Sequence, residues 1–257
     1  MNNLAQAIWV ETLKARRSRM PLFTALGFML VPLFGGFFMV ILKDPAFARR
    51  VGLISAKAQL VAGAADWPTF LELLAQAIAI GGFILFGFIG TWVFGREYAD
   101  RTLKDLLALP TSRSTIVLAK FVVVMSWSAL LAAAVTVAGL GVGAAVGLPP
   151  VPAATIWQGS LTIVIAAVLT IALVTPIAFF ASAGQGYLPP LGAAVLAIFF
   201  AQVIAIAGWG EYFPWSIPAL YSQGSELASI SYVIVFLTAC TGIAGTFIWW
   251  ERADQAR

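Results

Sequence analysis

Polar positions are missing from most of this chain for twenty or more residues at a stretch. Six runs are apolar almost throughout: 21–42, 71–94, 116–146, 156–181, 188–207 and 229–250. A helix needs about 20 such residues to cross a hydrocarbon core of about 30 Å. Each run therefore predicts a membrane-spanning helix. Ahead of the first run, Leu4, Ile8 and Leu13 form a rough apolar stripe with Trp9 beside it, and Glu11, Lys14, Arg16 and Arg17 supply a polar side. This pattern predicts that residues 1–20 form a short helix lying along the membrane interface.

The connections carry their own signals. The first loop, about 43–70, is long, and 46–65 has few helix breakers, so a helix is expected there at the outer surface. Residues 208–221 are crowded with aromatic side chains and prolines. That composition suits an outer-face cap or a re-entrant turn between the fifth and sixth spans. Residues 147–152 and 183–187 are short and uncharged, so the spans they join should be antiparallel neighbours. Two ladders of small residues, Gly139, Gly143 and Gly147 in the third span and Ala193, Ala197, Ala201 and Ala205 in the fifth, predict close helix contacts. The contacting helix belongs either to the same chain or to a second copy.

Composition narrows the class. The 257 residues are 61% hydrophobic and 10% charged, against about 25% charged in a soluble domain, which makes this an integral membrane protein. The first 20 residues are too polar for a signal-peptide core, so none is expected. There is no histidine, and the single Cys240 reads as a packing residue. Disulfide frameworks, common zinc sites and histidine bases are excluded. No phosphate-binding Gly-x-x-x-x-Gly-Lys-Ser/Thr loop is present. Ionisable groups within spans are nearly absent: Glu72 falls at a span edge, and Lys120, near the start of the third span, is expected to snorkel. An ion-driven carrier is thereby disfavoured.

Lysine and arginine set the expected orientation. Eleven of them (Lys14, Arg16, Arg17, Arg19, Arg96, Arg101, Lys104, Arg113, Lys120, Arg252 and Arg257) lie on one side of a six-span topology, and four (Lys43, Arg49, Arg50 and Lys57) on the other. The bias puts both termini in the cytoplasm. The net charge of +4 suits basic edges against anionic lipid. Nucleic acid is not an expected partner, because the cations sit beside spans and not in a separate domain.

One dense charged block, 95–113, interrupts the apolar chain between the second and third spans. Asp100 is placed to cap a short helix that runs to Leu109 and ends at Pro110. Asp100 with Lys104, and Arg101 with Asp105, have the spacing of helical ion pairs. Leu103, Leu106 and Leu107 fall on one face. Two readings stand: an interfacial helix that merely joins two spans, or a docking element for a cytoplasmic partner.

The segment from Phe94 to Lys120, with Glu97, Thr102-Leu103-Lys104, the Leu106-Leu107 pair, Pro110-Thr111-Ser112-Arg113 and Lys120, resembles the signature loop of type-2 ABC exporter permeases. Glu11-Thr-Leu-Lys14-Ala-Arg16-Arg17 resembles the basic opening of the same family, and size and layout are closest to its bacitracin-type and lantibiotic-immunity permeases. The resemblance implies an all-α, six-span permease of the prokaryotic cytoplasmic membrane. Two permease chains, identical or related, would form the path. ATP and Mg would be held by a separate ATPase subunit in two copies, with no cofactor in this chain. The coupling helix would comprise Asp100, Arg101, Thr102, Leu103, Lys104, Asp105, Leu106 and Leu107. Glu97 and Arg113 would flank it within a loop over 97–113, and their mutual pairing is an expectation. Export of a hydrophobic or amphipathic substrate is the expected function. A non-transporting sensor subunit and a secondary carrier are the alternatives. Phe83, Phe86, Phe88, Phe179, Phe180, Phe199 and Phe200 are candidate path-lining residues.

Overall fold

The computed structural model describes residues 3–44, 64–108 and 110–252, and the helix expected over 46–65 falls largely outside them. In chain order the helices are α1 (Asn3–Arg17), α2 (Met20–Lys43), α3 (Trp67–Ala77), α4 (Phe83–Ala99), α5 (Leu103–Leu107), α6 (Arg113–Val146), α7 (Ala153–Ala172), α8 (Thr175–Ala183), α9 (Leu188–Ile206), α10 (Ile217–Ser222) and α11 (Ser229–Arg252). A π-helical turn, Ile78–Gly82, joins α3 to α4 in one continuous rod. Among the described residues six units are long and apolar enough to cross a membrane: α2, α3–α4, α6, α7–α8, α9 and α11. The protein is a multi-pass, all-helical membrane protein.

Two of the six spans are irregular. The second begins at Trp67, because Asp66 accepts a hydrogen bond from the Thr69 amide (3.0 Å) and caps the helix there. Its π-turn ends on Gly81-Gly82, residues that weaken a regular helix. The fourth span breaks at Leu173-Val174, just ahead of Pro176, whose ring removes a backbone donor. The Thr175 hydroxyl lies 2.9 Å from the Ala172 carbonyl and 3.0 Å from Ala239 of α11. Gly242 makes that approach possible, since a Cβ there would stand 2.5 Å from the Pro176 nitrogen.

The irregular spans run side by side in the centre. α3 packs on α7 at one end and α4 on α8 at the other, while α11 and α9 cover α8 and α2 lies along α6. Both small-residue ladders face inside the chain. A Cβ on Gly139 would meet Leu74 at 2.4 Å, and one on Gly143 would meet Trp67 at 2.6 Å. Gly147 instead ends α6 with φ +70, and Lys43 donates to the carbonyls of Val146 (2.7 Å) and Gly147. Ala197 and Ala201 are buried, and α9 packs on the cap. That cap consists of two 3-10 turns, Gly210–Tyr212 and Pro214–Ser216, followed by α10. Phe83 and Phe86 are core residues, whereas Phe88, Phe180, Phe199 and Phe200 are exposed on three different helices. Cys240 is exposed on α11, not packed as expected.

Candidate functional site: a buried ion network behind an exposed turn

The charged block is built differently from its sequence pattern. α4 continues to Ala99, and Asp100 ends it. Asp100 donates its amide to Arg96 (2.8 Å), Arg101 to Tyr98 (3.2 Å) and Thr102 to Glu97 (3.0 Å). This is a C-terminal cap closed by a left-handed residue, and Arg101 takes that place at φ 58 where glycine is usual. Only Leu103–Leu107 then form α5, so the helix expected from Asp100 to Leu109 is shorter, and Leu109 lies outside the described residues. The expected helical ion pairs are replaced by one from Arg96 to Asp100, 3.4 Å apart. The physical reason is that α4 outcompetes a new cap at Asp100: extending the span keeps its backbone bonded, while Arg101 absorbs the reversal. Leu103 and Leu106 pack against the core, and Arg101, Thr102, Lys104 and Asp105 stand exposed.

Directly behind this turn, four charged side chains meet in the interior. Lys120, wholly buried, donates to Glu97 Oε1 (2.8 Å), to Glu11 Oε2 (3.2 Å) and to the Val93 carbonyl (2.8 Å). An ammonium has three protons, and all are used. Lys14 donates to Glu11 Oε1 (2.5 Å) and Glu97 Oε1 (3.1 Å). Glu97 is 3% exposed and Glu11 7%. Phe94 and Trp250 wall the Lys120 ammonium, each ring centroid 6.0 Å away. Two glutamates and two lysines leave no net charge. Burial works against the charged form of Lys14, but Glu11 and Glu97 outweigh it and hold its pKa above the ordinary lysine value.

Several expectations are corrected here. Lys120 does not snorkel: its head turns inward because Glu97 and Glu11 offer anionic partners there. Glu97 pairs with Lys14 and Lys120 instead of Arg113. Arg113 reaches the C-terminus of α11, donating to the carbonyls of Trp250 (3.3 Å) and Glu251 (3.0 Å), where the helix dipole favours a cation. Glu11 and Lys14, assigned to the polar side of α1 with Arg16 and Arg17, face the bundle, while Arg16 and Arg17 are exposed together with Trp9 and Val10.

Sequence reasoning singled out Glu97 and missed its partners. A signal was present: Leu4, Ile8, Glu11 and Ala15 share one helical stripe, so a carboxylate sits in the row that packs on α6. What the pattern lacked was the distance, since Glu11 and Lys120 are 109 residues apart.

The arrangement does no bond-making chemistry. It ties α1, the base of α4 and the first turns of α6 into one unit through charge-assisted hydrogen bonds. The exposed turn begins within one helical turn of Glu97, whose carbonyl accepts from the Thr102 amide.

Comparisons agree with a membrane-transport setting. A family model described as ABC-2 family transporter protein matches residues 7–202. A bacitracin transport permease protein of Bacillus licheniformis is 27% identical over 193 residues, which cover 72% of this chain and 91% of that protein. No solved structure matches the chain.

Proposed function

This chain belongs to the ABC-2 transporter family and is a permease, the membrane part of an ABC transporter, and from that premise we propose that it exports an amphipathic substrate using ATP hydrolysed by a separate ATPase subunit. The end of the bundle carrying α1, α5 and the close of α11 is its cytoplasmic face. The turn over Asp100–Thr102 and the short helix α5 dock on the ATPase. The buried Glu11–Lys14–Glu97–Lys120 network passes the resulting movement to the second and third spans. A second permease chain completes the path.

The observation that carries this reading is the position of the network. A balanced set of buried charges is costly to assemble, and it stands where a docking turn meets three helices. The relative named for bacitracin transport supports a peptide antibiotic as the substrate class. The test is the ATPase rate of the permease–ATPase complex in vesicles. Glu97→Gln is expected to lower the rate severalfold by unbalancing the network. Adding Lys120→Met restores charge balance and should recover part of it. Arg113→Glu should not rescue Glu97→Lys. Single variants that fold and hydrolyse ATP at the parent rate would rule the role out.

A further inference from the structure

We propose that a polar groove at the cap end of the bundle, far from the ion network, binds the protonated amine of an amphipathic molecule. The groove has a volume of about 420 Å³ and lies between α3, α7 and the residues that follow α10. Its floor is a direct helix contact: a Cβ on Gly159 would stand 2.5 Å from Leu71 Cδ1. On either side of that contact the walls are polar. Glu72 is the sixth residue of α3 and Gln158 the sixth of α7. At 1.5 Å per residue both lie about 7.5 Å below the helix starts, and Thr162 lies one turn deeper. Tyr221, Gln223 and Ser225 close the third side.

The groove's hydrogen-bonding capacity is largely unspent. Gln76 donates to Glu72 Oε1 (3.0 Å), and no cation meets Glu72 among the described residues. Gln158 and Gln223 are exposed, and their side-chain amides form no hydrogen bond among the described residues. Among the described residues no lysine or arginine lines the groove, so these offer an anionic head group no partner. Glu72 is exposed at the edge of the second span, where a carboxylate beside an apolar floor favours a cation as its partner. Among the described residues no second carboxylate joins Glu72 to build a calcium cage of six or more oxygen ligands. An ammonium offers three donors, matching one carboxylate and the amide oxygens beside it, while the Leu71–Gly159 floor receives an apolar stem. The amine belongs either to a resident lipid head group or to a transported amphiphile.

The experiment uses the full chain in nanodiscs of phosphatidylcholine without any ATPase, so it stands or falls apart from the coupling reading. The probe is radiolabelled dodecylamine, with binding to empty discs subtracted. Saturable binding is expected, and N-acetyl-dodecylamine should not compete. Glu72→Gln should bind about tenfold more weakly, as for loss of one charge-assisted hydrogen bond, with an unchanged melting temperature. Glu226→Gln, outside the groove, should bind as the parent. If phosphatidylethanolamine in the discs weakens dodecylamine binding, the amine source is lipid; if it has no effect, the source is a separate amphiphile. Equal binding by Glu72→Gln, or full competition by the acetylated probe, overturns the proposal.

Discussion

At the residue scale, Lys120 decides most. It is wholly buried and spends all three protons on Glu97, Glu11 and Val93. Removing one partner of a buried ion pair strands the others, at a cost of about 3–5 kcal/mol. Lys120→Met is therefore expected to lower the melting temperature of the purified protein sharply. Lys120→Met with Glu97→Gln leaves the Glu11–Lys14 pair intact and should cost less than the two single changes summed. Lys14 supplies a pH signature. Its raised pKa means that its contribution is complete below the ordinary lysine value of about 10.4 and disappears as pH rises through the higher folded value. Melting curves of the parent and Lys14→Met should thus differ at neutral pH and converge only in strong alkali. Glu97 was legible as a residue of consequence because it stands where the signature-loop resemblance puts a glutamate at the close of the second span. Its partners were not, because pairing across 23 and 83 residues depends on how helices stack.

At the element scale, the spans were readable because each is an apolar run of membrane length, and their ends shifted by a few residues where caps and prolines decide. α1 was readable as a helix but not as to which face is buried. Glu11 was read as part of the polar side, yet the stripe through Glu11 and Ala15 packs on α6. The helix expected from Asp100 to Leu109 was misjudged for a backbone reason. Nothing in the side-chain pattern reveals that Arg101 adopts a left-handed conformation and splits the block into a helix end and a five-residue helix. Arg101→Gly should leave stability unchanged or raised by about 1 kcal/mol, since it removes the Cβ penalty of that conformation. Lys104→Ala with Asp105→Ala touches only exposed side chains. It should leave melting unchanged yet weaken copurification of the ATPase, which separates docking from folding.

At the scale of the whole molecule, two broken spans form the centre and the straighter ones surround them. The π-turn of the second span and the Pro176 break of the fourth place irregular backbone against neighbouring helices, where it is protected from lipid. Gly242 is a tight point of that packing, facing the Thr175–Pro176 backbone. Gly242→Val should separate α11 from α8 and abolish a folded, monodisperse preparation, whereas Gly141→Ala, with open space at its Cβ, should be silent. The third–fourth and fourth–fifth neighbours were legible from their short uncharged loops, but the pairing of the second span with the fourth was not, since every face of an apolar helix looks alike until small residues and breaks meet their partners. The central claim is that the buried charges behind the docking turn act as one transmitting unit. It is tested most directly by the ATPase rate of the vesicle-reconstituted complex across the Glu97→Gln and Lys120→Met cycle. The account predicts that each single variant hydrolyses ATP more slowly than the parent and that the double variant is faster than either. Additive losses, or single variants that match the parent, would contradict it.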